Sequence, residues 1–265
     1  MESNNSKDIK YEYNEISFAN GNIYRGDLKV INGNEAIMHG KGYLMFPNGD
    51  LYIGDFKEDK LEGFGMLLYS ESKCRYIGQF SNNKLNGYGK YHYPSGNEYR
   101  GEFQNDKFNG FGEFVYSNGN YSCGYYKDDK QVEIGILTFH FGDEYQGEFK
   151  DNAITGYGLY IWENHHTYQG ELVNGKMHGK GLYKWPEGGE YEGEYVNGIK
   201  EGKGIFTWED GKIFKGPFTN GKPHGKGILI FNDTQIDVEF VNGKLNKDIL
   251  QKCTSNVKTK KTVKK

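Results

Sequence analysis

Long apolar runs are missing from this 265-residue chain. Mean hydropathy is -0.82, and nothing approaches the roughly 20 apolar residues that a membrane-spanning helix needs. The opening MESNNSKDIKYEYNE lacks the apolar core of a secretory signal, so secretion is not expected. Cysteine is scarce too. Cys74, Cys123 and Cys253 are odd in number, far apart and without metal-ligand spacing, which argues against a disulfide framework and for a reducing, cytoplasmic setting. The net charge of -3 conceals a division: from Lys247 onward seven lysines face one acid, so the tail is about +6 and the rest about -9.

What the chain does have is glycine and aromatics together, 39 Gly beside 16% Phe, Trp and Tyr. Low-complexity disorder does not produce that pairing. Both recur at a fixed interval. Tyr99, Tyr145, Tyr168, Tyr191 and Phe214 lie at multiples of 23 residues from one another, each followed two residues later by a glycine. Such a period marks a stacked array whose units contact mainly their neighbours. Nine units run from Tyr24. The first is 28 residues long, its five extra residues assigned to a loop around residues 30–39; the second has one extra residue near Ser70 to Lys73.

Residues 168–191, YQGELVNGKMHGKGLYKWPEGGEY, show one unit in full. Tyr168, Gly170 and Leu172 share a face; an Asn-Gly loop follows; then Gly179, Gly181, Tyr183 and Trp185 share a face. Period-two alternation punctuated by Gly, Pro and Asn predicts two short strands per unit, joined as hairpins. The expected fold is all-β: an elongated, single-layer antiparallel β-meander, solenoid-like. Residues 1–14 read as a flexible lead and 15–246 as the array, with a half-unit at each end. Residues 247–265 read as a short cap and a basic, disordered tail.

The second strands end in the series Phe46, Tyr69, Tyr93, Tyr116, Phe139, Trp162, Trp185, Trp208 and Phe231, all aromatic. Equivalent strands lie about 9.6 Å apart. These rings are therefore expected to form one column over glycines of neighbouring strands.

The pattern Tyr-x-Gly-Glu-Phe, then Asn-Gly-Lys-x-His-Gly-x-Gly, then an aromatic and a Gly-containing turn, resembles the MORN (membrane occupation and recognition nexus) repeat. Residues 168–172 with 174–181 carry it most clearly. The resemblance implies an extended sheet without a catalytic site. It also implies a scaffold role, as in cytoskeletal, ciliary and radial-spoke proteins, in membrane-tethering proteins, or in appendages to enzymes. Unit five departs from the pattern, with Ser122 for the leading Tyr and Glu133 for the first Gly of the second strand. Elsewhere His165 replaces a turn Gly, and Pro217 replaces the strand acid, which predicts weakened pairing there.

Candidate chemistry is weak. The acidic row Asp27, Asp55, Glu102, Glu148, Glu171, Glu194 is spaced too widely to share an ion. Equivalent carboxylates also lack the distinct environments that glycoside hydrolysis requires. Pairing with Lys41, Lys180, Lys203 and Lys226 or with turn amides explains them better. Gly-x-Gly here lacks the strand-turn-helix setting of a phosphate loop. His39, His178 and His224 read as turn residues, and Cys123 has no activating base. No cofactor, metal or nucleic acid is expected. The partner-binding candidates are the nine aromatic positions and Glu133. The expected function is a protein-binding scaffold of a cytoskeletal or axonemal assembly, with homodimerisation through an array end. The alternatives are tethering to anionic lipid through Lys258, Lys260, Lys261, Lys264 and Lys265, or service as a regulatory subunit of a separate enzyme.

Overall fold

The computed structural model describes residues 8–33, 35–232 and 234–246. All regular structure among them is β-strand. The chain divides into two compact units, Met1–Val132 and Glu133–Lys265. Within each, successive strands pair antiparallel, so each is an open meander. The first opens with Ile9–Ser17, Ile23–Ile31 and Glu35–Met45. The second closes with Gly225–Phe231, Thr234–Val241 and Lys244–Leu245.

From Leu51 to Thr219 the strands alternate between seven and nine residues, as in Leu51–Lys57 with Lys60–Leu68 or Glu144–Lys150 with Ala153–Ile161. The two linking residues both take positive φ, as at Asn174 (49°) and Gly175 (72°). That is the turn whose twist matches a hairpin, and Asn-Gly suits it best. The five extra residues of the first repeat do not loop out as expected. Four of them lengthen the two strands of the hairpin, to nine and eleven residues, and Ile31 pairs with Glu35.

A second correction concerns the return strand. Gly170 pairs with Gly181, yet Leu172 pairs with Met177, so the single residue Glu171 faces three. Gly179 sits in this bulge at φ +56° rather than in plain alternation. The equivalent Gly40 has φ +69°, and a Cβ there would lie 2.6 Å from Asp27 Oδ2. Glycine is needed for both the backbone and the carboxylate.

The leading tyrosines form the core. Tyr24, Tyr52, Tyr76 and Tyr99 in the first unit, and Tyr145, Tyr168 and Tyr191 in the second, are fully buried although the sheet is single-layered. Each ring lies over a pair of glycines: a Cβ on Gly42 would lie 2.6 Å from Tyr24 Cε2. The rings over the glycines are thus these tyrosines, not the column that ends the second strands. Aromatic neighbours meet them edge-on, as Phe56 does Tyr24 and Tyr52 at 4.9 and 5.1 Å. Such a pair contributes about 0.5–1.5 kcal/mol beyond area burial. Repeated along the unit, it replaces a second layer.

Near Pro217 the pairing is interrupted as expected. The strand beside Ile213–Thr219 is split into Lys222–Pro223 and Gly225–Phe231.

Candidate interaction surfaces

The acidic row has a structural task. Asp27, Asp55, Glu102, Glu148, Glu171 and Glu194 each accept a backbone N–H from the bulge. Examples are Lys41 N to Asp27 (2.9 Å), Tyr157 N to Glu148 (2.9 Å) and Lys180 N to Glu171 (3.0 Å). Gln79 does the same for Tyr88 N at 2.7 Å. Bulging strips these amides of ladder partners, and the side chain restores one. Lys41 also pairs with Asp55 at 2.6 Å. The histidines stand at the bulges rather than in turns: His39 and His178 lie within the strands Glu35–Met45 and Lys176–Lys184, and His224 Nδ1 accepts Asn242 N–H at 3.3 Å.

The predicted aromatic positions end the second strands and open the following turns. Trp185 N–H donates to Gly189 O at 2.9 Å and Gly188 N–H to Trp185 O at 3.1 Å. Eight of the nine rings are half-buried, and Phe231 is exposed. They do not stand as a bare column, because rings two residues earlier interleave with them. In the first unit Tyr91, Tyr93, Phe114 and Tyr116 follow one another at 4.9, 6.1 and 4.5 Å. In the second, Tyr160, Trp162, Tyr183 and Trp185 are spaced 4.5, 5.4 and 4.6 Å. Lys200 joins this row where Leu61, Leu85 and Met177 stand in other repeats. Its Nζ lies 4.3 Å from the Trp185 ring and 4.9 Å from those of Tyr191 and Phe206. Burial pushes its ammonium down to about 8.

A second row went unnoticed in the sequence although it keeps the same period. The residue after each bulge glycine points away from the buried tyrosines. In the first unit it is Lys41 and then Phe64, Tyr88 and Phe111, the rings exposed at 59%, 61% and 47%; in the second it is Ile134, Tyr157, Lys180, Lys203 and Lys226. Two grooves open on this side. One in the first unit, about 510 Å³, is lined by Tyr13, Arg25, Ile53, Phe64 and Met66 among others. One in the second, about 1070 Å³, has Leu182 and Ile205 between Lys180, Lys203 and Lys215.

Repeat five differs in three places at once. Ser122 is fully buried, and its hydroxyl meets the Tyr126 hydroxyl at 3.1 Å. Tyr125 stands where the acid should be, and Glu133 takes φ +57° in place of the bulge glycine. Glu133 itself is exposed. The tail lysines 258, 260, 261, 264 and 265 and the cap near Ile249 lie outside the described residues.

A family model described as MORN repeat matches residues 36–51, 52–72, 76–98, 99–121, 145–167, 168–190, 191–213 and 214–235. The chain belongs to the MORN-repeat family. The longest gap within the matched span, 122–144, holds Ser122, Tyr125 and Glu133. No curated protein matches the sequence. Among solved structures, the array is similar to the TCP domain of SAS-4 (dCPAP) of Drosophila melanogaster, determined with a proline-rich motif of Ana2 (dSTIL). Identity is 13% and the TM-score 0.36, over 67% of this chain and 86% of that one. The G-box domain of the microcephaly protein CPAP is 12% identical with a TM-score of 0.25, over 85% and 97%. A streptogramin B lyase is 11% identical with a TM-score of 0.15, over 88% and 87%. Scores this low carry no argument about what the MORN array binds. Among the described residues no helix is long and apolar enough to cross a membrane.

Proposed function

We propose that this MORN array is a non-catalytic scaffold that binds another protein along the sheet face turned away from its buried tyrosines. The observation that carries this reading is the row Phe64, Tyr88 and Phe111. These are large apolar side chains left in solvent on successive repeats, beside a groove of about 510 Å³. Rings that stabilise the fold are buried over glycine; these contribute nothing to that core. Contiguous exposed apolar surface of this kind favours an interaction site. A cytoskeletal or axonemal assembly is the finer form of the reading, and it rests on family analogy.

The test is affinity capture from the native cell with three forms: the full chain, the Phe64→Ser/Tyr88→Ser/Phe111→Ser variant, and a chain ending at Asn246. Exposed substitutions typically change stability by about 0.5 kcal/mol or less, so the triple variant should remain folded. Partners are expected with the first and third forms and should be lost from the second. Equal capture by all three would sink the outward-face reading. Loss only from the shortened form would transfer binding to the basic tail.

A further inference from the structure

Among the described residues, the strand Ile9–Ser17 departs from the return strands of the repeats. Its partner register with Ile23–Ile31 is unbroken, from Ile9 opposite Ile31 to Ser17 opposite Ile23. Where most of the others carry two glycines, the first at positive φ in a bulge, it has Glu12 and Asn14, and none of its residues takes positive φ. It is not shaped to accept another repeat of the array. Among the described residues no strand covers its other side. In the second unit, by contrast, the last long strand, Thr234–Val241, is covered by Lys244–Leu245 and by Asn246 N–H to Glu239 O at 2.8 Å.

Hydrogen bonds at its two ends show which backbone groups are spare. Phe18 N–H donates to Asn22 O at 2.9 Å, and Asp8 O accepts from Asn32 N at 2.8 Å. In an antiparallel ladder bonding residues alternate. The even-numbered residues therefore bond inward, and Ile9, Tyr11, Tyr13, Glu15 and Ser17 face the open edge, where Glu15 N–H donates to its neighbour Asn14 Oδ1 at 2.8 Å. On the same odd-numbered positions Ile9, Tyr11 and Tyr13 are exposed at 44%, 65% and 62%. The strand has neither proline nor bulge to close the edge, and its charged residues are Lys10, Glu12 and Glu15.

We infer that Ile9–Ser17 is a homotypic docking edge that pairs antiparallel with the same strand of a second copy about a two-fold axis through Tyr13. An isologous contact must be self-complementary, and two physical requirements select this register. Paired residues must share a sheet face, which permits only registers shifted by an even number of residues. Full overlap of a nine-residue strand then sets its middle residue, Tyr13, opposite itself. Tyr11 meets Glu15, Glu12 meets Asn14, and Ile9 meets Ser17. A register centred on Glu12 would instead oppose two carboxylates, which is destabilising. Arg25, whose guanidinium lies 6.0 Å from the Tyr13 ring, flanks the paired tyrosines and offsets the acidic strand.

Sedimentation of the full chain over a concentration series tests this, together with two single-site variants. Tyr13→Pro removes an N–H that faces the open edge, so the chain's own ladder survives and docking does not. The wild type is expected to pass from monomer to dimer as concentration rises, and Tyr13→Pro to stay monomeric with a melting temperature within a few degrees of it. In a Cys74→Ser/Cys123→Ser/Cys253→Ser background, Tyr13→Cys should oxidise to a covalent dimer. Hydrogen-bonded pairs hold Cα atoms about 5.5 Å apart, inside disulfide range. Tyr11→Cys should not, since its counterpart lies opposite residue 15. A wild type that stays monomeric, species that grow past the dimer, a dimeric Tyr13→Pro, or crosslinking at 11 instead of 13 would each overturn the inference.

Discussion

The Tyr168 hydroxyl reaches across Gly170 and Gly181 to donate a 2.8 Å hydrogen bond to the carbonyl oxygen of Glu171, three residues along its own strand. The same bond recurs from Tyr24 to Asp27 at 2.6 Å, Tyr52 to Asp55 at 2.9 Å and Tyr145 to Glu148 at 3.0 Å. The bulge leaves this carbonyl without a ladder partner, and the phenol supplies one. Tyr168→Phe keeps the ring and should cost about 1 kcal/mol. Tyr168→Ala empties the site and should cost about 3–5 kcal/mol, the range for a buried aromatic. Urea unfolding of the two variants measures the difference. Equal losses would show that the ring contributes nothing beyond its hydroxyl.

Glu133 is the one residue at its repeat position that lacks glycine's freedom at φ +57°. Left-handed backbone costs a side-chain-bearing residue about 1–2 kcal/mol. The carboxylate that would collide with a Cβ elsewhere is replaced in this repeat by Tyr125, so the two departures occur together. Glu133→Gly is expected to raise stability by about 1 kcal/mol after the added entropy of the unfolded chain is counted. An unchanged or lower unfolding midpoint would mean that the Glu133 side chain makes compensating contacts.

Strand number, pairing and the hairpin turns were legible because alternation and Asn-Gly are local signals. The bulge was not. It inserts two residues, so the parity of Gly179 and Gly181 is unchanged and alternation alone cannot detect it. The source of the core rings was missed because two aromatic series share one period. Variation within the chain separates them. The column admits Phe, Tyr and Trp freely, whereas the leading position is Tyr at most units. A ring that must fit over glycine and deliver a hydroxyl to one carbonyl has little latitude. The outward row is hard to see because its residue type does not repeat, with lysine at 41, rings at 64, 88, 111 and 157, isoleucine at 134 and lysine again from 180, and burial shows that its members share a face.

Glu98 gathers two cations and an imidazole: Lys90 and His92 at 2.9 Å each, and Arg100. Burial alone would raise its carboxyl, but hydrogen bonds from Lys90 and Arg100 outweigh that and hold it below the usual range. Burial pushes the His92 imidazole down against the pull of Glu98, with Arg75, Lys90 and Arg100 adding to the depression. Both groups bind protons more readily unfolded, so stability rises with pH through their range. The His92 contribution should be lost as pH falls below about 6.5 and that of Glu98 below about 4.3. Urea midpoints at pH 7.5 and 5.5 should differ less in His92→Gln than in the wild type. An identical difference would remove His92 from the acid response.

Lys200 supplies the opposite end of the pH scale. Its ammonium is pushed to about 8 by burial, while in the unfolded chain it titrates near 10.4. Between those values the unfolded state holds the extra proton, so stability rises with pH across the window and is lowest below pH 8. The rings of Trp185, Tyr191 and Phe206 attract the cation and oppose this effect, each by about 0.5–2 kcal/mol. Net direction is therefore decided by measurement against Lys200→Met, which places the residue of the preceding repeat, Met177, at the site. The comparison belongs between pH 7 and 9.5, since burial raises the phenols of Tyr145 and Tyr191 to about 12 and their unfolded counterparts begin to ionise near 10. Desolvation is expected to prevail: Lys200→Met should be more stable at pH 7, with the gap closing as pH approaches 9.5. A gap that stays constant would show Lys200 charged throughout and held by the rings.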